Sequence, residues 1–456
     1  MRLVFFLLLA IVFFAPLDTS EAVDPTRTII LTSLVLLLMG LTAEIPSSYL
    51  VHCIYRHPAE RYRWARLLQL LRRLHLGIAC GMFLSTILIC HWPAVVRQFW
   101  HLDRALFVDE VVILLPFILG LVSSWSSFYR VERALHCTGE WAVLEPMPSL
   151  REFLKNLSRY HLAMMLEPLC VFAAIQSVMQ GYDAGWNWWL IIGYGIVCLL
   201  AIAWFLPWVW TKAWDTEPLP AGPRRDLLRR LCERLQIPLT NLLLWNTQHH
   251  QAAALLVGYL PQPRFVILSD LLVDQLTDEE LSSVLAHELG HVRYHHLPVM
   301  LVFLLFSLIL WTLASWLVQM QLSSSSFLDQ LLLQTAMLCA MMLYVRFTLG
   351  DLSRRLEREA DLMACLAWHD KSPSYGLAVF ASTLHKVAQL NGESPDHHSW
   401  LHGSITSRLE ALELLVNDPV LEHRFSNQML WLKTGLVAAL TSLSIWIVYV
   451  WQKFVP

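Results

Sequence analysis

Charge is scarce in this chain. Asp, Glu, Lys and Arg make up 15% of its 456 residues and apolar types 56%; a soluble globular chain carries about 25% charged residues. That balance argues against a wholly soluble protein and fits a polytopic membrane protein carrying a modest water-facing domain. Charge of either sign is also nearly balanced, at a net −3. With no basic surplus to neutralise a phosphate backbone, neither nucleic acid nor nucleotide is an expected partner. The nine cysteines contain no Cys-x-x-Cys pair, and most sit in apolar stretches, among them Cys80, Cys90, Cys170, Cys198 and Cys339. They read as reduced core residues, which excludes a disulfide framework and a thiolate metal site. Internal repeats are lacking, and the only low-complexity tract, Ser323–Ser326, reads as a short loop.

What the chain has is long apolar runs. Stretches near the ~20 residues needed to cross a bilayer occur at about Ile29–Ile54, Leu76–Val96, Leu106–Phe128, His161–Met179, Trp189–Trp210, Leu297–Val318, Phe327–Thr348 and Met429–Val450. A shorter run, Leu3–Phe14, is either the apolar core of a signal peptide or a short first helix. Tryptophans such as Trp186, Trp188, Trp189, Trp208 and Trp210 cluster at span ends, as an interfacial belt does.

Arginine orients the spans. Tyr55–His75 carries Arg56, Arg61, Arg63, Arg66, Arg72 and Arg73; Tyr129–Tyr160 and the segment after Trp210 are similarly basic. Gly181–Trp188 and Gln319–Ser326 carry no Lys or Arg. The positive-inside rule places the basic segments in the cytoplasm. Alternation then puts both long polar segments, Thr211–His296 and Gly350–Gln428, on that side. Within the first, Leu227–Pro238 has helical periodicity, Gln251–Asp270 reads as a β-hairpin around a Pro-containing turn, and Thr277-Asp-Glu-Glu280 is a capping box opening a helix.

That helix contains His287-Glu288-Leu-Gly-His291. Histidines at i and i+4 project from one helix face and can reach one cation, and Zn²⁺ suits imidazole. Glu288 adjoins His287, where it can take a proton from water beside the metal. After two further spans the chain returns as Gly350–Trp368, with Glu357 and Asp361 at i and i+4. One face thus offers a carboxylate ligand and a second carboxylate to receive a ligating histidine's free N–H. Glu359 points about 160° away at ~100° per residue, and the competing reading of the segment is a solvated Arg/Glu-rich helix. His295 and His296 read as interfacial polar residues.

Three separated motifs resemble the membrane-embedded zinc metallopeptidases that include HtpX and the type I CAAX prenyl endopeptidases. They are "VLAHELGHVRYHH" (Val284–His296), "SRRLEREAD" (Ser353–Asp361) and "LHGSITSRLEAL" (Leu401–Leu412), in the family's order. The resemblance implies His287, His291 and Glu357 as zinc ligands, one Zn²⁺ per chain, Glu288 as catalytic base and Asp361 behind the ligands. It also implies that His402 and Arg408 lie beside the site, supporting substrate or transition state. Two departures stand out: Gly403 follows His402 where the family usually has proline, and Ala253-Ala254 stand where it commonly has Asn-Ala.

The expected fold is a mainly α-helical polytopic membrane protein with a cytoplasmic gluzincin-type zinc metallopeptidase domain, α+β, built from a β-hairpin or small sheet and the His-Glu-x-x-His helix. Its expected parts are residues 1–22 (signal peptide or short first helix), 23–211 (transmembrane region), 212–428 (peptidase domain interrupted by spans 297–318 and 327–348) and 429–456 (last span). The expected function is endopeptidase action on peptide or membrane-protein substrates at the cytoplasmic face of a bacterial-type inner membrane. The alternative is a membrane sensor whose metallopeptidase domain has little activity or cleaves itself.

Overall fold

The computed structural model describes residues 23–102, 108–138, 147–247, 249, 251–322, 327–368 and 371–454. Expectations for residues 1–22 and for Ser323–Ser326 lie outside these residues. The chain divides into two compact units, residues 1–214 and 215–456.

The first unit is helical: α1 (Pro25–Arg56), α2 (Arg61–Leu88), α3 (Val108–Cys137), α4 (Leu150–Asp183) and α5 (Trp188–Ala213). Asp24 accepts from the Thr26 N–H to cap α1, and Asn187 caps α5 through the Trp189 and Leu190 N–H groups, satisfying donors a helix start leaves open. Met39, Phe83, Ile113 and Phe117 form the centre of the packing among α1, α2 and α3. The expected arginine loop Tyr55–His75 is mostly helix; only the short turn at Pro58–Glu60 separates α1 from α2. Arginine is a good helix former, so the helices run on past the apolar stretch until proline stops them. Several polar groups inside this bundle are paired. His75 sits between Thr42 and Ser124 at 3.1 and 2.6 Å, and Arg97 meets Asp109 at 2.7 Å. Glu44 accepts from Ser127 at 2.7 Å and pairs with Arg130.

The second unit opens with β1 (Thr216–Pro218), α6 (Pro223–Arg234), β2 (Asn241–Trp245), β3 (Ala254–Val257) and β4 (Phe265–Ser269). The strands form one sheet in the order β1-β2-β4-β3, with β2 parallel to β4 and β3 antiparallel to it. The hairpin Gln251–Asp270 is therefore present as β3–β4. β4 is buried at every position, as a central strand covered on both faces should be; β3 is the sheet's edge. Helices α7 (Asp270–Gln275) and α8 (Asp278–Arg293) follow, then α9 (His296–Leu322), α10 (Phe327–Tyr344), α11 (Gly350–Leu366), α12 (Pro373–Leu390), α13 (Ile405–Asn417) and α14 (Pro419–Phe454). Leu268, Leu285, Leu289, Ala364 and Phe380 share the core joining sheet, α8, α11 and α12.

Among the described residues, seven helices are long and apolar enough to cross a membrane: α1 to α5, α9 and α14. The protein is a multi-pass integral membrane protein. Where an eighth span was expected, α10 is helical over 18 residues.

Candidate active site

The geometry of α8 is fixed at both ends. Thr277 Oγ1 accepts from the Glu280 N–H, and the Glu280 carboxylate accepts from the Thr277 N–H at 2.9 Å, a cap worth about 1 kcal/mol. The same carboxylate takes Lys386 at 2.9 Å and Ser382 at 3.0 Å, pinning α8 to α12. At the other end His295 adopts φ +56°, and α9 begins one residue later. That turn lets a helix bearing water chemistry and a membrane span adjoin. The middle of α8 lies hard against α11: a Cβ on Gly290 would stand 2.9 Å from Ala360 Cα. Only glycine permits this approach, which brings the Glu357–Asp361 face onto the two histidines.

There His287 Nε2 and His291 Nε2 stand 3.4 Å apart. Glu357 Oε2 lies 3.7 Å from the first and Oε1 3.9 Å from the second. Ligand atoms about 2.0–2.2 Å from a tetrahedral zinc are separated by roughly 3.3–3.6 Å. One ligand atom from each residue lies within 4.8 Å of the others, so donor set and spacing suit a Zn²⁺ ion. On its far side, His287 Nδ1 faces Asp361 Oδ1 at 3.0 Å, off the ideal hydrogen-bond line. Its ring stacks on Phe380 at 5.9 Å.

Electrostatics follow from burial. Asp361, at 0% exposure, is charged against the cost of burial because Arg408 and His287 hold its carboxyl below the ordinary range. Arg408 grips it through Nε at 2.9 Å and Nη2 at 2.5 Å. Burial opposes charge on Glu357 too, but His402, His287 and His291 keep it well below the usual value. Burial pushes His291 down to about 3, helped by the facing His287. His287 is raised because Asp361 outweighs burial. Burial and the nearby Glu357 push Glu288 up to about 7, although the Leu256 N–H donates to its carboxylate.

His402 is reached from solvent, its side chain 55% exposed, with Nδ1 3.1 Å from Glu357 Oε1. It sits on a loop closed by paired backbone bonds between Ser399 and Gly403, 3.1 and 2.8 Å. Gly403 has φ +79° and uses its N–H in that closure. Proline could do neither, so the departure at 403 reflects a different loop. Arg408 is turned from solvent toward Asp361, 3.8 Å from Glu357 at its nearest.

With this geometry in view, comparison with known proteins is direct. Residues 218–427 match the model for peptidase family M48. The chain is 26% identical over 201 residues to the CAAX prenyl protease 1 homolog of Oryza sativa subsp. japonica, covering 41% of this chain and 45% of that protein. It is 29% identical over 126 residues to Protease HtpX of Legionella pneumophila, covering 27% and 44%. The chain thus spans about half the length of the relatives it matches. The crystal structure of S. mikatae Ste24p aligns with TM-score 0.49 at 17% identity, covering 86% of this chain and all of that one.

Sequence reasoning missed three parts of this domain. Asn391 closes on Ala252 from both sides, accepting from its N–H at 2.9 Å and donating to its C=O at 3.0 Å. His296, read as interfacial, is 3% exposed and touches His291. Glu359 is not solvated: it is 6% exposed and meets His296 and Lys433. A residue i+5 from His291, together with an acid and a lysine far apart in the chain, gives no periodic signal.

Arg408 sets up a stability test. Arg408→Leu leaves a fully buried carboxylate without its guanidinium, which costs about 3–5 kcal/mol. Thermal unfolding of the detergent-solubilised protein should fall accordingly, with Arg408→Lys recovering only part because it cannot form the two-pronged contact. An unchanged unfolding temperature in Arg408→Leu would remove Asp361–Arg408 from the supports of the site.

Proposed function

We propose that this protein is a membrane-bound zinc endopeptidase that hydrolyses peptide bonds of extended segments presented at the cytoplasmic membrane face. The observation that carries the reading is the convergence of His287 Nε2, His291 Nε2 and Glu357 on one point, next to Glu288 and the edge of β3. The metal, when bound, supplies Lewis acidity that makes water a better acid and the scissile carbonyl a better electrophile. Glu288 takes the proton from the attacking water and returns it to the leaving amine. His402, open to solvent beside Glu357, is placed to donate to charge developing on the carbonyl oxygen. Arg408 acts one step back: it fixes Asp361, which orients His287. The cytoplasmic face and a bacterial-type inner membrane rest on the arginine-rich segments and the likeness to HtpX.

The edge of β3 supplies the substrate track. Ser269 N donates to Ala253 O and Ala253 N to Ser269 Oγ, so Ala253 faces the sheet. Outward and inward pairs alternate along an antiparallel ladder, which turns the N–H and C=O of Ala254 and Leu256 to the open side. Leu256 N–H reaching Glu288 agrees with this parity. Asn391 covers the edge at Ala252, leaving an open stretch that ends at the catalytic base. A peptide adding there as a strand would pass the metal point in extended form. Proline is tolerated where a strand's N–H faces outward. Ala254→Pro should therefore keep fold and zinc while cleavage drops sharply, whereas Ala253→Pro should disturb the domain itself. Wild-type cleavage by Ala254→Pro would eliminate strand addition.

The activity test uses purified full-length protein in detergent, an unmodified extended peptide, a farnesylated peptide, and chelation followed by zinc. Metal-dependent cleavage of either peptide supports the reading, and the ratio between them identifies the substrate class. Cleavage confined to the chain itself would favour the sensor alternative.

A further inference from the structure

A hydrogen-bonded chain leaves His291 and ends in the last membrane helix. His291 Nδ1 lies 2.8 Å from His296 Nδ1. His296 Nε2 lies 3.0 Å from Glu359 Oε2. Lys433 Nζ, on α14, donates to the same oxygen at 2.6 Å and to the Tyr294 carbonyl at the end of α8 at 3.0 Å. The four groups come from α8, α9, α11 and α14, and His296 and Glu359 are nearly inaccessible to water.

We propose that His296, Glu359 and Lys433 are positioning residues for the metal: together they hold the His291 ring, so that docking of the C-terminal membrane helix is part of the zinc site. This rests on the reading of His291 as a metal ligand.

Protons fit the chain without any added charge. An imidazole that binds metal through Nε2 keeps its proton on Nδ1. His291 then donates to His296 Nδ1, which must accept. The His296 proton is therefore on Nε2, where it is donated to Glu359. The ammonium of Lys433 balances the Glu359 carboxylate. Each link uses one donor and one acceptor, so the direction of every bond is set once metal occupies His291 Nε2.

The two histidines of the site are thus backed in parallel. His287 meets a carboxylate, Asp361, neutralised by Arg408. His291 reaches a carboxylate, Glu359, neutralised by Lys433, through one intervening imidazole. An acid and a lysine at the margin of membrane helices are costly unless paired. An ion pair bridging α11 and α14 would serve docking alone, and it would not need a third group. His296 is what converts that pair into support for the ligand, and Tyr294 lies stacked against its ring at 6.0 Å.

The test uses the full-length protein in detergent, with Zn²⁺ affinity measured by competition against a chromophoric chelator. A second readout is the visible absorption of the Co²⁺-substituted protein. Outer partners of metal ligands are worth about 10–100-fold in affinity. His296→Leu is expected to weaken Zn²⁺ binding by that factor and to alter the Co²⁺ bands. His296→Gln, which can accept from His291 and donate to Glu359, should restore most of both. Lys433→Met should weaken binding in the same direction. Wild-type affinity and Co²⁺ spectrum in His296→Leu overturn the proposal even if its unfolding temperature drops. Should His296→Leu fail to fold, the same wild-type values in Lys433→Met overturn it. His291→Ala separates the two readings: metal retained there removes His291 as a ligand, whereas metal lost there and kept in His296→Leu removes only the relay.

Discussion

Glu288→Gln is expected to keep its fold and its zinc and to lose at least about 10²–10⁴-fold in turnover, the usual contribution of a positioned general base. The substitution is nearly isosteric. Gln can still accept from the Leu256 N–H that reaches this carboxylate, so the neighbouring strand edge should not move. What it cannot do is carry a proton from water to the leaving amine. Burial is the main force pushing Glu288 up to about 7, near where a base works best at neutral pH. A cation at the His287–His291–Glu357 point favours the ionised form and brings that value down. The acid limb of kcat/KM in the zinc-loaded wild type should therefore lie below pH 7, and activity should rise as pH climbs through it. Zinc stoichiometry, the unfolding temperature and peptide cleavage on one preparation decide the matter. Wild-type turnover in Glu288→Gln would sink the mechanism, and lost zinc would show that Glu288 supports the metal instead.

The sequence made local structure legible and left long-range partners hidden. The capping box at Thr277 and the β3–β4 hairpin were readable, because each depends on neighbours in the chain. Helix ends in the first unit were misplaced: a bilayer-length criterion stops at the last apolar residue, while arginine-rich helix continues for turns beyond it. The i,i+4 spacing put Glu357 and Asp361 on one face, and the structure brings that face to His287 and His291. The same 100° rule put Glu359 on the opposite face, and from there solvent was the default inference. That face is instead covered by α9 and α14, which supply His296 and Lys433. Nothing in one sequence ties residue 433 to residue 359. Which positions of β3 face outward was not legible either: period-two parity cannot be set until one inter-strand bond, here Ser269 to Ala253, is known.

Removing the proposed third ligand should have the largest effect on metal. Glu357→Ala is expected to leave the purified protein without stoichiometric zinc, because two imidazoles alone cannot complete the three-ligand set of a catalytic site. The loss should go beyond coordination. In the wild type, Glu357 takes His402 at 3.1 Å and lies 3.8 Å from Arg408, so its charge also balances a cationic and an imidazole group. Without it, the apo protein should lose stability and the His402 loop its anchor. Glu357→Gln discriminates between these contributions: the amide keeps a polar group against His402 but is a poor zinc ligand, so fold should recover while zinc remains absent. Glu359→Gln provides the contrast. It leaves the Nε2–Nε2–carboxylate point intact and should hold zinc at saturating metal, with affinity weakened through His296. Zinc measured per chain after dialysis, alongside unfolding temperature, reads all three variants. Full zinc in Glu357→Ala together with its loss in Glu359→Gln would transfer the ligand role to Glu359. The 3.4–3.9 Å spacing around His287, His291 and Glu357 argues against that result, since Glu359 is held by His296 and Lys433 on the opposite side of the His291 ring.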